Sequence, residues 1–374
     1  MFLRVTAEDE HGDHDEGVEG DHGEGAKGDQ DEGVAGQGGR RRGLLKVVGI
    51  VFAGALVLSA AGAGWVYWHL NQNITTVDIN SALGDDRPPK TVSTPSAAAS
   101  ASPLPSGALN ILVLGSDSRS GEENAALGGG GATSGARSDT AMVVHIDQGR
   151  TSATVVSIPR DTLVTRPSCP TSSGGTTSVA YSSMFNSAYS VGGPVCAVKT
   201  VESITDVRMD HFIEIDFSGF AKLVDALGGV TVTTDEDIDD EDSHLVLKAG
   251  EHHLDGTQAL ALARTRHGIG DGSDLGRIGL QQTLVKALLE QMSDTSLLTD
   301  PTKLYKVADA VTGSLTTDTG LNSLTELMRL GQSLKSLPSD ALKTVTMPVL
   351  PAASDPNRVV ADEPEASELW ASLR

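Results

Sequence analysis

The sequence predicts an α/β domain in which a central mixed sheet carries helices on both faces. Short apolar runs bounded by turn residues, such as residues 141–146 and 153–158, are typical of strands buried on both faces. Farther along the chain, strand signals alternate with segments of helical period. After about a hundred non-globular residues, roughly 265 remain, which is enough for one domain with a large core.

The predicted elements follow one another along this domain. Strands are expected at residues 110–114, 141–146, 153–158, 212–216, 230–233 and 343–347. Helices are expected at residues 218–227, 255–264, 274–292, 302–311 and 321–337, with another that begins near Pro194. Gly228 and Gly229 close the helix at 218–227, because glycine readily adopts the left-handed conformation that ends helices.

The N-terminal segments are expected to lie outside the domain. Residues 1–39 hold 12 acidic side chains against Arg4 and Lys27, and a basic cluster follows them. We therefore expect residues 1–46 to form a disordered acidic arm that ends in this basic cluster. Residues 47–68 contain no charge, and this length crosses a bilayer core of about 30 Å as one helix. We therefore expect one transmembrane helix ahead of the domain.

Basic residues before the apolar span set its expected orientation. Arg40, Arg41, Arg42 and Lys46 precede the span, and only such cations count in the positive-inside rule. The arm is therefore expected in the cytoplasm, and the domain outside, in a single-pass protein of the cell membrane. A cleaved signal peptide is the alternative, which the 46-residue leader disfavours. The formal net charge of −22 argues against a nucleic-acid partner.

Composition also gives the remaining boundaries. Residues 69–107 are rich in Pro, Ser and Ala and predict a semi-extended stalk. The α/β domain is expected at residues 108–350, with a C-terminal tail at residues 351–374. Its two cysteines, Cys169 and Cys196, are expected to form one disulfide in an exported protein. A zinc pair would need two more ligands at suitable spacing, and none is evident.

Two carboxylates stand where predicted strands meet polar turns. Asp117 follows the first apolar run and Asp139 precedes the second. Carboxylates that meet at one point repel each other, and Mg²⁺, which prefers a couple of carboxylates plus phosphate oxygens and water, relieves that repulsion. The alternative has equal weight from spacing alone: each Asp caps a turn or a helix start.

Arginines recur around the same strand ends. Those that flank the predicted site are Arg137, Arg160, Arg264, Arg266 and Arg277. Planar guanidinium groups bind two oxygens at once and therefore suit phosphate and pyrophosphate. Gln281 stands four residues after Arg277, on the same helical face, and is expected to look into the domain. Ordinary surface ion pairs are the alternative for any single arginine.

No motif for a covalent nucleophile is present. Ser116 and Ser118 lack the Gly-x-Ser-x-Gly elbow, and His252 and His253 belong to no His-Glu-x-x-His zinc helix. The sequence therefore predicts direct transfer of a phosphorylated group, in which positioning and charge stabilisation supply the catalysis.

Several consecutive motifs resemble the LytR-CpsA-Psr family in order and spacing over residues 109–292. They include Asn-Ile-Leu-Val-Leu-Gly-Ser-Asp117-Ser-Arg119, Arg137-Ser-Asp139-Thr, Ser-Ile-Pro-Arg160-Asp161-Thr, Phe185-Asn186-Ser-Ala-Tyr189 and Arg264-Thr-Arg266-His-Gly-Ile-Gly-Asp-Gly-Ser-Asp-Leu-Gly-Arg277. The resemblance implies a cell-wall ligase. Such an enzyme is a Mg²⁺-dependent phosphotransferase that moves a glycopolymer from a polyprenyl pyrophosphate carrier to a peptidoglycan sugar hydroxyl.

The resemblance also implies roles for individual residues. Asp117 and Asp139 would hold the metal, and Arg160 would grip the pyrophosphate and stabilise the oxygens of the transferring phosphoryl group. Asp161 is either a base or a partner that locks Arg160 by an ion pair. The residues expected to bind the pyrophosphate are Arg119, Arg137, Arg264, Arg266, Arg277 and Gln281. Where the family often has a further arginine, this chain has Leu280.

Two other functions stay open at this point, and a third is less favoured. A protein that binds lipid pyrophosphate or glycan without turnover would keep the arginines but would not need both acids. A simple pyrophosphatase would release phosphate to water without a sugar acceptor. A transcriptional regulator, which the historical name of the family suggests, conflicts with an acidic domain outside the membrane that has no helix-turn-helix pattern.

Overall fold

A computed structural model describes residues 59–85, 87–90, 107–116, 138–171, 174–265, 274–292, 300–334, 337 and 341–374. The chain separates into two units, Met1–Ala60 and Ala61–Arg374. Of the first unit only residues 59 and 60 are described, and both are helical. The second unit holds the fold.

The described strands of the second unit form one large sheet and four two-stranded antiparallel sheets. They are β1 Thr75–Val77, β2 Leu109–Ser116, β3 Ser138–Ile146, β4 Ala153–Ser157, β5 Leu163–Arg166, β6 Ala180–Met184, β7 His211–Asp216, β8 Val230–Thr234, β9 Ile238–Asp240, β10 Leu245–Leu247, β11 Gly250–Leu254, β12 Leu315–Asp318, β13 Leu342–Thr346, β14 Val349–Ala352 and β15 Asp355–Ala361. The large sheet has the order β1-β12-β7-β2-β3-β4-β13. It contains parallel and antiparallel pairs, so the predicted mixed sheet is confirmed.

Helices lie between and around these strands. In the second unit they are α1 at residues 61–73, α2 Ile79–Leu83, α3 Asn186–Thr205, α4 Phe217–Leu227, α5 Gly256–Arg264, α6 Asp274–Met292, α7 Pro301–Ser314, α8 Leu324–Leu334 and α9 Glu365–Ala371. Side-chain caps explain several of their starts. Asp216 accepts a hydrogen bond from the backbone N–H of Gly219, and Asp255 forms a capping box with Gln258.

Apolar side chains cover both faces of the large sheet. On one face, Val198 of α3 belongs to the same buried cluster as Leu112 of β2. On the other face, Leu330 of α8 packs in a cluster with Ile111 of β2. The helices on both faces that the sequence predicts are thus confirmed. A separate cluster joins α4, α5 and α6 to the two-stranded antiparallel sheet of β8 and β11, and it holds α6 against that smaller sheet.

The disulfide between Cys169 and Cys196 is present, as predicted, with 5.3 Å between the two Cα atoms. It ties the loop after β5 to α3. Backbone angles at Gly192 and Gly193 break α3, and its second segment starts at Pro194, where the sequence predicts a helix to begin. A Cβ atom on Gly192 would lie 2.8 Å from the Cβ of Cys196, so only glycine fits beside this disulfide.

Part of the segment predicted as a stalk, residues 69–107, belongs to the fold. β1 pairs in parallel with β12 at the edge of the large sheet. Ile79 of α2 is fully buried in the main core. Arg87 forms a buried ion pair with Glu202 of α3, with 2.6 Å between Nη2 and Oε1. The prediction of a stalk is wrong here because β1 and α2 are very short, and the composition of the whole segment is dominated by the Pro, Ser and Ala of the flanking residues.

The predicted C-terminal tail, residues 351–374, is also wrong as a description. These residues complete the β14–β15 hairpin and form α9, whose Trp370 is 2% exposed within the main core.

A further difference concerns the helix predicted at residues 321–337. The chain instead forms a 3-10 turn, Thr319–Leu321, and then α8, because the Ser323 hydroxyl accepts a hydrogen bond from the backbone N–H of Glu326 and begins a new helix.

The end of α1 is attached directly to the domain. The Tyr67 hydroxyl lies 3.0 Å from Thr325 Oγ1, and Asn73 Nδ2 donates to Asp309 Oδ1 at 3.2 Å. Most of the predicted transmembrane span, residues 47–68, lies outside the described residues. Within the described part of the chain, no helix combines the length and the apolar character needed to span a bilayer.

Candidate functional site

The centre of the candidate site is an ion pair between Arg160 and Asp139. β3 and β4 are antiparallel, with Met142 opposite Ser157. This register brings the start of β3 beside the loop that follows β4. Arg160 Nη1 donates to Asp139 Oδ1 at 2.6 Å, and the two side chains are 16% and 25% exposed. The two motifs that carry these residues therefore meet at one edge of the sheet.

Asp161 lies on the other side of the Arg160 guanidinium. Its Oδ2 is 3.6 Å from Arg160 Nε, and its Oδ1 is 3.5 Å from Nη1 of Arg358, which belongs to β15. Backbone hydrogen bonds from the start of α3 hold this loop, since the Asn186 N–H donates to the Arg160 carbonyl oxygen at 3.1 Å. Of the two roles predicted for Asp161, these contacts favour the one in which it orients Arg160.

Helix α6 contributes two buried polar side chains, Arg277 and Gln281. Arg277 is 3% exposed, and its Nη2 donates to the backbone oxygen of Asp139 at 3.2 Å. Gln281 is 7% exposed, and its Nε2 donates to the Ala263 oxygen at 3.0 Å. Both side chains are directed into the domain, as their spacing indicates. Their role in binding pyrophosphate stays a prediction.

Arg264 is described in a different contact. Its guanidinium carbon lies 5.1 Å from the centroid of the Phe217 ring, which is a cation–π distance. Phe217 is the first residue of α4, and Arg264 is the last residue of α5. The contact therefore orients Arg264 at the junction of these two helices, and its role in the site stays a prediction.

Four predicted site residues lie outside the described residues. They are Asp117, Arg119, Arg137 and Arg266. The strand ends next to two of them are described: β2 ends at Ser116, which pairs with Ser138, the first residue of β3. The sheet thus brings the end of β2 to the same edge as Asp139.

The donor chemistry of Asp139 fits Mg²⁺, because carboxylate oxygens are ligands that this hard cation prefers. The other predicted ligand, Asp117, lies outside the described residues. Among the residues that the structure describes, no group of three or more His, Cys, Asp and Glu side chains is arranged to hold a metal ion. A two-carboxylate site completed by substrate phosphate and water needs fewer protein ligands than such a group.

Sequence reasoning missed two features beside the site. The Tyr189 hydroxyl donates to Glu214 Oε1, and the Ser116 hydroxyl donates to Tyr189 at 3.3 Å. Burial raises the pKa of Glu214 above its ordinary value, and the hydrogen bond from Tyr189 opposes that rise. The other missed feature is Arg358. It lies in the segment predicted as a tail, and only tertiary packing brings it to Asp161.

An apolar cavity of about 230 Å³ lies beside α6, between the sheet and α8. Its walls include Val144 and Val155 from the sheet, Val285 and Leu289 from α6, and Leu334 from α8. Arg277, Gln281, Val285 and Leu289 follow one another at intervals of four along α6. Each of these side chains neighbours the next on the helix surface, and the row leads from the polar site to the apolar cavity.

Relatives of this chain share its sequence over most of the described fold. It is 33% identical over 271 residues to the probable cell wall biosynthesis protein LcpB of Corynebacterium glutamicum, covering 71% of this chain and 61% of the relative. It is 32% identical over 238 residues to the polyisoprenyl-teichoic acid–peptidoglycan teichoic acid transferase TagV of Bacillus subtilis, covering 62% and 57%. The matched region thus spans about three fifths of the length of each of these relatives.

The fold is also similar to a solved structure. The crystal structure of B. subtilis TagV superposes with a TM-score of 0.55 at 27% identity, over 72% of this chain and 97% of that one. The sequence pattern of the LytR_cpsA_psr family matches residues 66–374, which include β1, α2 and α9 as well as the site. On this match the chain belongs to the LytR-CpsA-Psr family.

Proposed function

We propose that this protein is a membrane-anchored phosphotransferase of cell-wall assembly, with its catalytic domain outside the cytoplasm. It would move a glycopolymer from a polyprenyl pyrophosphate carrier to a sugar hydroxyl of peptidoglycan. The observation that carries the proposal is the half-buried Arg160, whose guanidinium lies between Asp139 and Asp161. The name of the TagV relative, which specifies a polyisoprenyl-linked polymer and peptidoglycan, supports this choice of substrates.

The cavity beside α6 supports a lipid carrier. Its wall is apolar except for the rim residues Lys286 and Glu290. Along α6, Arg277 and Val285 are eight residues apart, which corresponds to about 12 Å at 1.5 Å per residue. A pyrophosphate near Arg277 and an isoprenoid chain beside Val285 would therefore fit the same helix face.

Each charged residue has a defined role in the proposed reaction. Asp117 and Asp139 would hold Mg²⁺, which when bound offsets negative charge on the phosphate groups. Arg160 stabilises the oxygens of the phosphoryl group in transfer, and its planar fork suits two of them at once. Asp161 keeps that fork oriented. Arg277, buried behind Asp139, adds a second positive charge.

The step itself is a direct displacement at phosphorus. The oxygen of the sugar hydroxyl forms a bond to the phosphorus that carries the glycopolymer. The bond from this phosphorus to the bridging oxygen of the pyrophosphate breaks, and polyprenyl phosphate leaves with that oxygen. The hydroxyl proton passes to solvent. No covalent enzyme intermediate is needed, in agreement with the missing nucleophile motif.

The test uses purified full-length protein, a lipid-linked glycan labelled in the sugar, and peptidoglycan fragments. We expect label on the fragments, release of polyprenyl phosphate, and loss of both when Mg²⁺ is chelated. Labelled glycan phosphate released without label on the fragments would identify a pyrophosphatase. Tight retention of the carrier without either product would identify a binding protein, and both of these results contradict the proposal.

A further inference from the structure

The C-terminal hairpin reaches the candidate site. β15 packs against β5, and Val359 forms an isolated parallel bridge with Thr162, the residue after Asp161. The neighbour of Val359, Arg358, places its Nη1 3.5 Å from Asp161 Oδ1. A residue almost two hundred positions away in sequence is thereby attached to the Arg160 loop by both backbone and side chain.

Arg358 extends the central ion pair into a row of alternating charges. Asp139 contacts Arg160 at 2.6 Å, Arg160 contacts Asp161 at 3.6 Å, and Asp161 contacts Arg358 at 3.5 Å. The row ends at Asp355, whose Oδ2 is 3.9 Å from Arg358 Nε. Each oxygen of Asp161 therefore faces a different guanidinium. The row is partly shielded from water, since Asp161 is 19% and Arg358 is 32% exposed.

We propose that Arg358 is a positioning residue for the transfer reaction and acts through Asp161. This inference rests on the proposed function. Arg358 shares the negative charge of Asp161, so that Asp161 orients Arg160 without drawing its guanidinium away from the substrate. Without Arg358, the five-residue row changes from a net charge of −1 to −2, and Arg160 becomes the remaining cation in the row. Asp161 then attracts Arg160 more strongly, and the anionic substrate meets a less favourable field.

The geometry also fixes what kind of side chain is needed at position 358. The contact to Asp161 is longer than a hydrogen bond and involves one nitrogen, so charge matters more than a two-oxygen grip. Lysine should therefore substitute well at 358. The opposite holds at 160, where a planar fork is required.

The experiment is a double-mutant cycle on full-length protein, measured as the rate of glycan transfer at saturating lipid-linked carrier. Arg358→Gln, which keeps much of the side-chain volume, should lower kcat by at least about fivefold, because charged residues within one network couple strongly. Arg358→Lys should recover most of that loss. In an Asp161→Asn background, Arg358→Gln should have less than about a twofold further effect, because the residue through which it acts is gone.

Arg329→Ala is the matched control, since it removes another partly exposed arginine whose partner is Glu326 on α8. It should leave kcat unchanged, and circular dichroism with thermal melting checks that every variant folds. The inference is overturned by unchanged kcat in Arg358→Gln, by effects of Asp161→Asn and Arg358→Gln that multiply, or by a change in KM alone. Absence of transfer in the wild type is a separate result and would overturn the proposed function instead.

Discussion

Replacing Arg87 with Ala should destabilise the domain strongly, although this residue lies in the segment whose composition predicts a stalk. Glu202 is 3% exposed and accepts hydrogen bonds from Arg87 Nε at 2.9 Å and Nη2 at 2.6 Å. Removing the guanidinium leaves a carboxylate buried without a cation. Loss of one partner of a buried pair costs about 3–5 kcal/mol, a large part of the stability of an ordinary domain.

The assay is unfolding of Arg87→Ala in guanidinium chloride, followed by tryptophan fluorescence. Trp65 and Trp68 are replaced by Phe, so that the signal comes from Trp370, which is buried in the main core. Arg374→Ala, which breaks an exposed pair with Asp206, is the control and should change the free energy of unfolding little. A loss below about 1 kcal/mol in Arg87→Ala, which is the size expected of a surface pair, would show that this segment does not anchor the fold.

Three further predictions concern other parts of the protein. Glu214→Gln should stabilise the protein near pH 7 and make its stability depend less on pH. Burial raises the pKa of Glu214, so the wild-type protein loses stability as pH rises above about 4.3, the ordinary pKa of a glutamate. Thermal melting from pH 4 to 8 measures this, and an unchanged dependence on pH would contradict it. Cys196→Ser should lower the free energy of unfolding by about 3 kcal/mol, because it opens a loop of 27 residues; a loss near zero in the same unfolding assay would be the contrary result. Protease added to cells stripped of their wall should digest the domain and spare the N-terminal arm, and the reverse pattern would exclude the proposed orientation.

Sequence patterns predict the parts of this fold that are long or that carry local signals. The helix expected at residues 274–292 has the same bounds in the structure as α6. The spacing of Arg277 and Gln281 also predicts their shared face, because helical periodicity is a local property. The cysteine pair is predictable for another reason: a chain with two cysteines allows only one internal pairing.

The parts that sequence patterns miss depend on distant contacts. β1 has three residues, too few for any periodicity, and it is a strand only because β12 offers a free edge. Trp370 is buried because α3 and the sheet leave space for α9. Arg358 meets Asp161 only after the C-terminal hairpin has packed on β5. Tertiary packing decides where these residues lie, and the spacing of residues along the sequence carries no information about it.

The most direct test of the site compares transfer activity and Mg²⁺ binding in variants of its central ion pair. Asp139→Ala should abolish both glycan transfer and the Mg²⁺ binding measured by calorimetry in the presence of the carrier. Arg160→Ala should abolish transfer while the folded protein still binds Mg²⁺, and Arg160→Lys should restore little, because a point charge does not reproduce a two-oxygen contact. Full transfer by folded Asp139→Ala protein would contradict the account and would place the reaction elsewhere in the molecule.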